Sequence, residues 1–188
     1  MHRILAIDEQ LTLLFTNFEQ IADELDMPLV CSLSDHAIIK KQMYPGIYRI
    51  DVSTAGSTDD FAAWIETFQA EWAHEDFKKK FTANFKLKRI AFHRKLSEQR
   101  RIAHGTQLSE WMPLYIGKSQ KVGARVLEHI QLGLDKTTFA LKLNARPSMT
   151  NRKFRLHAIE LRVKNYNLVA PVLESALRER FHPLIGKQ

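Results

Sequence analysis

A single cysteine, Cys31, excludes an internal disulfide and any cysteine-rich zinc site, and it fits a reducing compartment. No apolar run approaches the ~20 residues of a membrane-spanning helix, and Met1 to Asp8 lacks the long apolar stretch of a secretory leader. Both absences predict an intracellular, cytoplasmic protein with no membrane partner. The eight histidines are scattered, and no pair at i, i+3 or i+4 spacing is joined by cysteine, so zinc has no support. No internal repeat, low-complexity segment or interdomain linker interrupts the 188 residues. That length, at 45% hydrophobic and 26% charged, predicts one soluble domain with elaborations.

Acidic side chains are also nearly missing from one stretch. Between Lys78 and Arg101, ten cations (Lys78, Lys79, Lys80, Lys86, Lys88, Arg89, Arg94, Lys95, Arg100 and Arg101) stand against Glu98 alone. Residues 1–44 run the other way, with seven acidic against three basic side chains, so they carry −4 and the remainder +11 of a net +7. A basic body of this kind suits a polyanion, nucleic acid before a membrane surface. The ten cations are read as a DNA-backbone clamp, because a dense cationic face neutralises phosphates and releases counterions. The plainer reading is a solvated helical hairpin with basic outer faces.

Apolar spacing sets out the elements. Leu11, Leu14, Phe15, Phe18, Ile21, Ala22 and Leu25 recur at steps of three and four, which predicts a helix from Asp8 to Asp26, capped by Asp8, with an acidic outer face. Residues 29–43 are ambiguous, with room for a short strand and a turn. Tyr44-Pro45-Gly46 is turn chemistry leading into Ile47 to Val52, an alternating strand with Tyr48, Ile50 and Val52 on one face. From 54 to 110 the chain reads as an insertion. It holds a polar loop, a helix opened by Asp59-Asp60 with Phe61, Trp64, Ile65, Phe68 and Trp72 as its stripe, and a second helical region with Phe77, Phe81, Phe85, Phe92 and Leu96. Trp111 to Gly117 is strand-like, and Ser119 caps a helix reaching about Gly133. Thr137 to Leu143 reads as a brief strand, and Phe154 to Val163 as a core strand. Val169 to Phe181 reads as a helix with Pro171 in its first turn.

Taken singly, the candidate reactive residues are ordinary. A strand tyrosine such as Tyr48 or Tyr115 is usually core, Arg125 and His129 form a common i, i+4 helix pair, and Glu174 reads as a solvent-facing carboxylate. Gly117-Lys118-Ser119 looks like the end of a phosphate-binding Walker loop, but Met112 stands where that loop needs glycine. The order is distinctive: Gly46-Ile47-Tyr48 in a strand, Tyr115-Ile116-Gly117 in a strand, a helix with Arg125 and His129, then a strand and a helix with Val172-Leu173-Glu174-Ser175-Ala176-Leu177.

Over Pro45 to Val52 and Leu114 to Gly186 this order resembles the GIY-YIG nuclease family. The resemblance implies an α+β fold, a small three-stranded antiparallel sheet flanked by helices, here with a helical extension at 1–44 and a basic helical insertion at 54–110 in a single 1–188 domain. It implies a Mg²⁺-dependent DNA endonuclease, with Mn²⁺ as a substitute, acting on double-stranded DNA. Tyr48 is then the general base, Tyr115 orients the water or the phosphate, Arg125 contacts the phosphate and Glu174 holds the metal. A phenol of pKa ~10 is a poor base at neutral pH, so a helper is needed; His129 is the first candidate and Lys118 the second. The lack of an appended DNA-binding module is most like a type II restriction endonuclease, and a homodimer suits palindromic sites. A structure-specific repair or mobile-element nuclease, or an inactive nucleic-acid-binding module, are the alternatives. Two departures stand out: the long connection from Val52 to Leu114, and Gly186 where family members often carry an asparagine, a role Lys187 or Gln188 would have to fill.

Overall fold

The alternating run after Gly46 becomes the centre of a sheet. A computed structural model describes residues 2–57, 60–72, 104, 108–133, 136, 138 and 140–186. Four strands, β1 (Leu29–Ser32), β2 (Gly46–Ser53), β3 (Trp111–Ser119) and β4 (Phe154–Glu160), form one antiparallel sheet in the order β1-β4-β2-β3. The helices are α1 (His2–Glu24), α2 (His36–Lys40), α3 (Phe61–Trp72), α4 (Val122–Gln131) and α5 (Tyr166–Phe181), with short 3₁₀ turns at Leu143–Ala145 and Pro147–Met149. No helix among the described residues is long and apolar enough to cross a membrane.

Strand β2 is buried on both faces, and its period-two alternation splits the core in two. Tyr48, Ile50 and Val52, joined by Leu156 and Ala158, pack against α3 and α4. Ile47 and Ile116 pack against Leu173 and Leu177 of α5, with Ala22 and Met27 at the end of α1. The insertion helix forms as the sequence predicts. Asp60 Oδ1 accepts the Ala63 N–H at 2.9 Å as an N-cap, and all five stripe residues are buried.

Several boundaries differ from the sequence reading, each for a local reason. The sheet has four strands rather than three, because residues 29–32 add β1 along β4. The long connection does not disturb the first two motif strands, which pair Gly46 with Ser119 through Ser53 with Trp111. Helix α1 starts at His2, so Asp8 is internal and caps nothing. Ser119 ends β3 instead of capping α4; its hydroxyl closes a turn on Lys121. No strand forms among the described residues of 137–143, because the Leu141 N–H bonds His129 and Lys142 turns left-handed at φ 58°. Helix α5 begins at Tyr166, so Pro171 lies inside it. Strand β4 stops at Glu160.

A carboxylate sits at the middle of this sheet. Asp51, 1% exposed, accepts hydrogen bonds from Arg49 Nε at 2.8 Å and Arg155 Nε at 3.0 Å. His157 Nε2 lies 3.2 Å away, close enough for charge attraction without a well-aligned hydrogen bond, while its Nδ1 donates to Met27 O at 2.8 Å. The two guanidinium groups stack on Phe181 and Trp111. Burial alone would raise the Asp51 pKa, but the neighbouring His157 and Arg49 outweigh it and hold the carboxyl below its ordinary value.

Candidate active site

The two motif tyrosines meet over a glycine. Tyr48 pairs with Gly117 across β2 and β3, and Ile50 pairs with Tyr115. A bulge at Leu114 resets the alternation of β3, so Tyr115 and Gly117 share the face of Tyr48 while Ile116 and Lys118 face α5. The tyrosine rings lie 6.1 Å apart between centroids. A Cβ on Gly117 would fall 2.6 Å from Tyr48 Oη and 2.7 Å from Tyr115 Cε1, so only glycine leaves room for both rings.

Helix α4 brings the next two residues. Val122, Val126 and Ile130 anchor it on the sheet, which turns His129 into the core at 0% exposure and leaves Arg125 at the rim, where it pairs with Glu128. His129 Nε2 lies 2.8 Å from Tyr48 Oη, and His129 Nδ1 accepts the Leu141 backbone N–H at 2.8 Å. A backbone N–H can only donate, so Nδ1 carries no proton and the neutral ring holds its proton on Nε2. The Tyr48–His129 bond is therefore donated by histidine. The imidazole cannot accept the tyrosine's proton, but it can stabilise a phenolate.

Burial and the nearby Arg125 push His129 well below its ordinary pKa. Burial and the Tyr115 neighbour push Tyr48 well above the ordinary phenol value, with the Arg125 guanidinium working in the opposite direction. Tyr115 is raised too, chiefly by burial, with Arg178 and Glu174 as its charged neighbours. At neutral pH the resting site thus holds two phenols and a neutral imidazole.

This burial has a measurable consequence for stability. The unfolded chain protonates His129 below pH ~6.5 and the folded chain does not, so stability falls with decreasing pH by up to ~1.4 kcal/mol per unit. Urea unfolding between pH 7 and 5 should show a shallower loss in His129→Gln than in wild type; equal slopes would mean that the folded imidazole takes up the proton as readily as the unfolded one.

The opposite face supplies a carboxylate. Leu173 and Leu177 anchor α5 on the sheet and carry Glu174 inward to 5% exposure, so it is not the solvent-facing carboxylate of the plainer alternative. Its Oε1 accepts from Arg178 Nη2 at 2.6 Å, and its Oε2 pairs with Lys118 Nζ. Strand β3 is the sheet edge, so groups from its two faces converge around its open side. There Leu184 and Ile185 N–H bond Pro113 and Leu114 carbonyls, Arg178 bonds Ile116 O, and Gly186 lies on the Tyr115 ring.

No protein-family model matches the chain, and no curated protein or solved structure matches it. The likeness to the GIY-YIG pattern therefore rests on these residues alone. The fold brings Tyr48, Tyr115, Arg125, His129, Lys118 and Glu174 to one end of the β2–β3 pair. The ten cations from Lys78 to Arg101 lie outside the described residues, as do Lys187 and Gln188.

Two contributors escaped the sequence reading. Arg178 stands four residues after Glu174, a helical pair that spacing could have flagged. The Leu141 N–H that fixes the His129 tautomer has no sequence signal, because a backbone donor carries no side-chain identity.

A hard cation such as Mg²⁺ takes oxygen ligands and retains several waters. No group of three or more His, Cys, Asp or Glu side chains clusters among the described residues. The donor set fits a cation held by Glu174 as its one protein carboxylate, with water and substrate oxygens completing the shell. Lys118, whose side chain is 35% exposed, is the partner able to give way.

Proposed function

We propose that the chain is a metal-dependent endonuclease of GIY-YIG type that hydrolyses DNA phosphodiesters, most like a type II restriction enzyme. The observation that carries this reading is the convergence of a hydrogen-bonded Tyr48–His129 pair, Tyr115 and Arg125 with the buried Glu174 and its half-exposed partner Lys118 at one sheet edge. Hydrolysis needs a place for the proton of the attacking water, positive charge for the phosphoryl oxygens and help for the leaving oxygen.

Each need has a candidate. Arg125, with a guanidinium fork and an exposed partner in Glu128, binds a non-bridging phosphate oxygen. Tyr115 is the more exposed of the two tyrosines and fronts Tyr48, so it holds the attacking water. Tyr48 becomes the inner proton acceptor only after its own phenol proton has left to solvent; His129 Nε2–H stabilises that phenolate until it takes up the proton of the attacking water. Glu174 would hold Mg²⁺, or Mn²⁺ in its place, which when bound supplies positive charge at the leaving oxygen. Lys118 pairs with the Glu174 carboxylate in the resting site and would yield its place to the cation.

A histidine beside a tyrosine can either favour the phenolate or take its proton; the tautomer favours the first. Because Tyr48 resists ionisation, cleavage should accelerate roughly tenfold per pH unit from neutrality into the alkaline range. The test incubates the full chain with long mixed-sequence DNA and Mg²⁺, against an EDTA control, over that range. His129→Ala should slow cleavage by roughly 10²-fold, and His129→Gln, whose amide still donates, should recover part of it. Discrete bands would mark a sequence-specific enzyme and a smear a structure-directed or non-specific one. Intact DNA with a mobility shift would replace the nuclease reading by a binding module.

A further inference from the structure

The face of α1 points to a use that the site does not explain. Because α1 begins at His2, its apolar series extends further than the sequence reading placed it: Ile4, Ile7, Leu11, Leu14, Phe18, Ile21 and Leu25 alternate by three and four. That is an a/d heptad seam over three heptads, the pattern of a helix made to pack against another helix.

Almost none of the seam is covered by the described residues. Residues 3–17 are all exposed, with Ile4 at 71%, Ile7 at 56% and Leu14 at 51%. Only the last turns dock: Ala22 is buried, Phe18 and Leu25 pack on the α5 cluster, and Arg180 bonds the Ala22 and Leu25 carbonyls. Four turns of helix therefore project with their apolar stripe in water. An isolated helix of this length is marginal, and apolar patches above a few hundred Å² on a monomer mark interaction sites.

We infer that α1 pairs antiparallel with α1 of a second copy of this chain, forming a two-fold dimer. Three features favour that occupant. First, in an antiparallel pair the seam is self-complementary: Ile4 meets Ile21 of the other copy, Ile7 meets Phe18 and Leu11 meets Leu14. Second, the first turns of one helix then reach the other copy's α1–α5 groove, a cleft of about 370 Å³ whose lining includes Phe15, Phe18, Val172 and Ala176. Third, the charges match. Arg3 and Glu24 both occupy g positions, and antiparallel pairing sets Arg3 of each copy against Glu24 of the other, giving two ion pairs per dimer.

The size is adequate too. Ile4, Ile7, Leu11, Leu14, Phe15 and Ile21 offer on the order of 600 Å² per subunit, against the ~800 Å² per partner of a standard interface. The inference does not depend on the nuclease reading.

Sedimentation of the full chain at about 1 to 100 µM tests it, a range that brackets micromolar affinity. Wild type should run at twice 21.8 kDa. Ile7→Asp with Leu11→Asp should run as a monomer that still unfolds cooperatively, since both side chains are exposed in one copy, with a midpoint that no longer rises with protein concentration. Arg3→Glu should weaken the dimer several-fold, and adding Glu24→Arg should restore it. A monomeric wild type, meaning that the seam is covered by other means, would overturn the inference. So would a dimer indifferent to the Ile7 and Leu11 changes, or an Arg3→Glu defect that Glu24→Arg does not repair.

Discussion

Arg125→Ala and Glu174→Ala should each lower DNA cleavage by roughly three orders of magnitude while DNA binding stays within a few-fold of wild type. The scale is that of removing one preorganised charge-stabilising group from a water-poor site, ~10²–10³ or ~2.7–4 kcal/mol of barrier. Neither change should unfold the chain. Loss of Arg125 leaves Glu128 with 45% of its side chain in water, where it is readily solvated. Loss of Glu174 frees Lys118, whose side chain is 35% exposed and can turn outward, while Arg178 retains its bond to Ile116 O. Single-turnover cleavage with Mg²⁺ gives the first number, and a gel shift in EDTA gives the second. Cleavage at wild-type rate in either variant would remove that residue from the site.

The largest effect on stability belongs to Asp51→Ala, expected to cost ~3–5 kcal/mol, the usual range for removing one partner of a buried charge cluster. Arg49, Arg155 and His157 would then face each other across the sheet with no anion between them. Asp51→Asn keeps the shape and should cost less. The pH dependence has its own window: a carboxyl held below its ordinary pKa contributes stability that is complete above the unfolded value of ~3.9 and fades as pH falls through the folded one. That lies well below the His129 window, so acid titration of urea midpoints separates the two groups. An Asp51→Ala midpoint equal to wild type would mean that the two guanidinium groups and His157 are already satisfied by water.

Much of the fold was legible because β2, α3 and β4 each obey one period without interruption. The face shared by Tyr48, Ile50 and Val52 follows from alternation alone, and the burial of Phe61, Trp64, Ile65, Phe68 and Trp72 follows from helical spacing. Where the reading missed, a competing local bond decided. Thr137 to Leu143 reads as a brief strand, but the Leu141 N–H is taken by His129 and Lys142 adopts a left-handed conformation, so no ladder forms among its described residues. Strand β1 is only four residues long, too short to show a period, and exists because β4 offers it an edge. The apolar stripe of α1 predicts a helix but not what covers it: residues 3–17 stay exposed, because pattern reports only that a partner is wanted.

At the site, residue order alone nominated Tyr48, Tyr115, Arg125, His129 and Glu174, and the fold places them around the same edge strand. Direction was beyond sequence. Which nitrogen of His129 carries the proton depends on a backbone amide twelve residues on, and whether Glu174 faces water or protein depends on how α5 docks.

One property of the sheet bears on how the chain is made. With the order β1-β4-β2-β3, no strand is hydrogen-bonded to its neighbour in sequence across a short turn; even β2 and β3 are separated by residues 54–110. During synthesis β2 emerges about 100 residues before β4, so at ~5–20 residues per second it waits on the order of 5–20 s for the strand that completes the sheet centre. Its buried face is exposed throughout that interval. The equilibrium cost of such long closures is small, growing by only ~0.6 kcal/mol per doubling of loop length. The burden falls on rate, which makes the ribosome-bound chain, rather than the finished protein, the stage at which chaperones matter most.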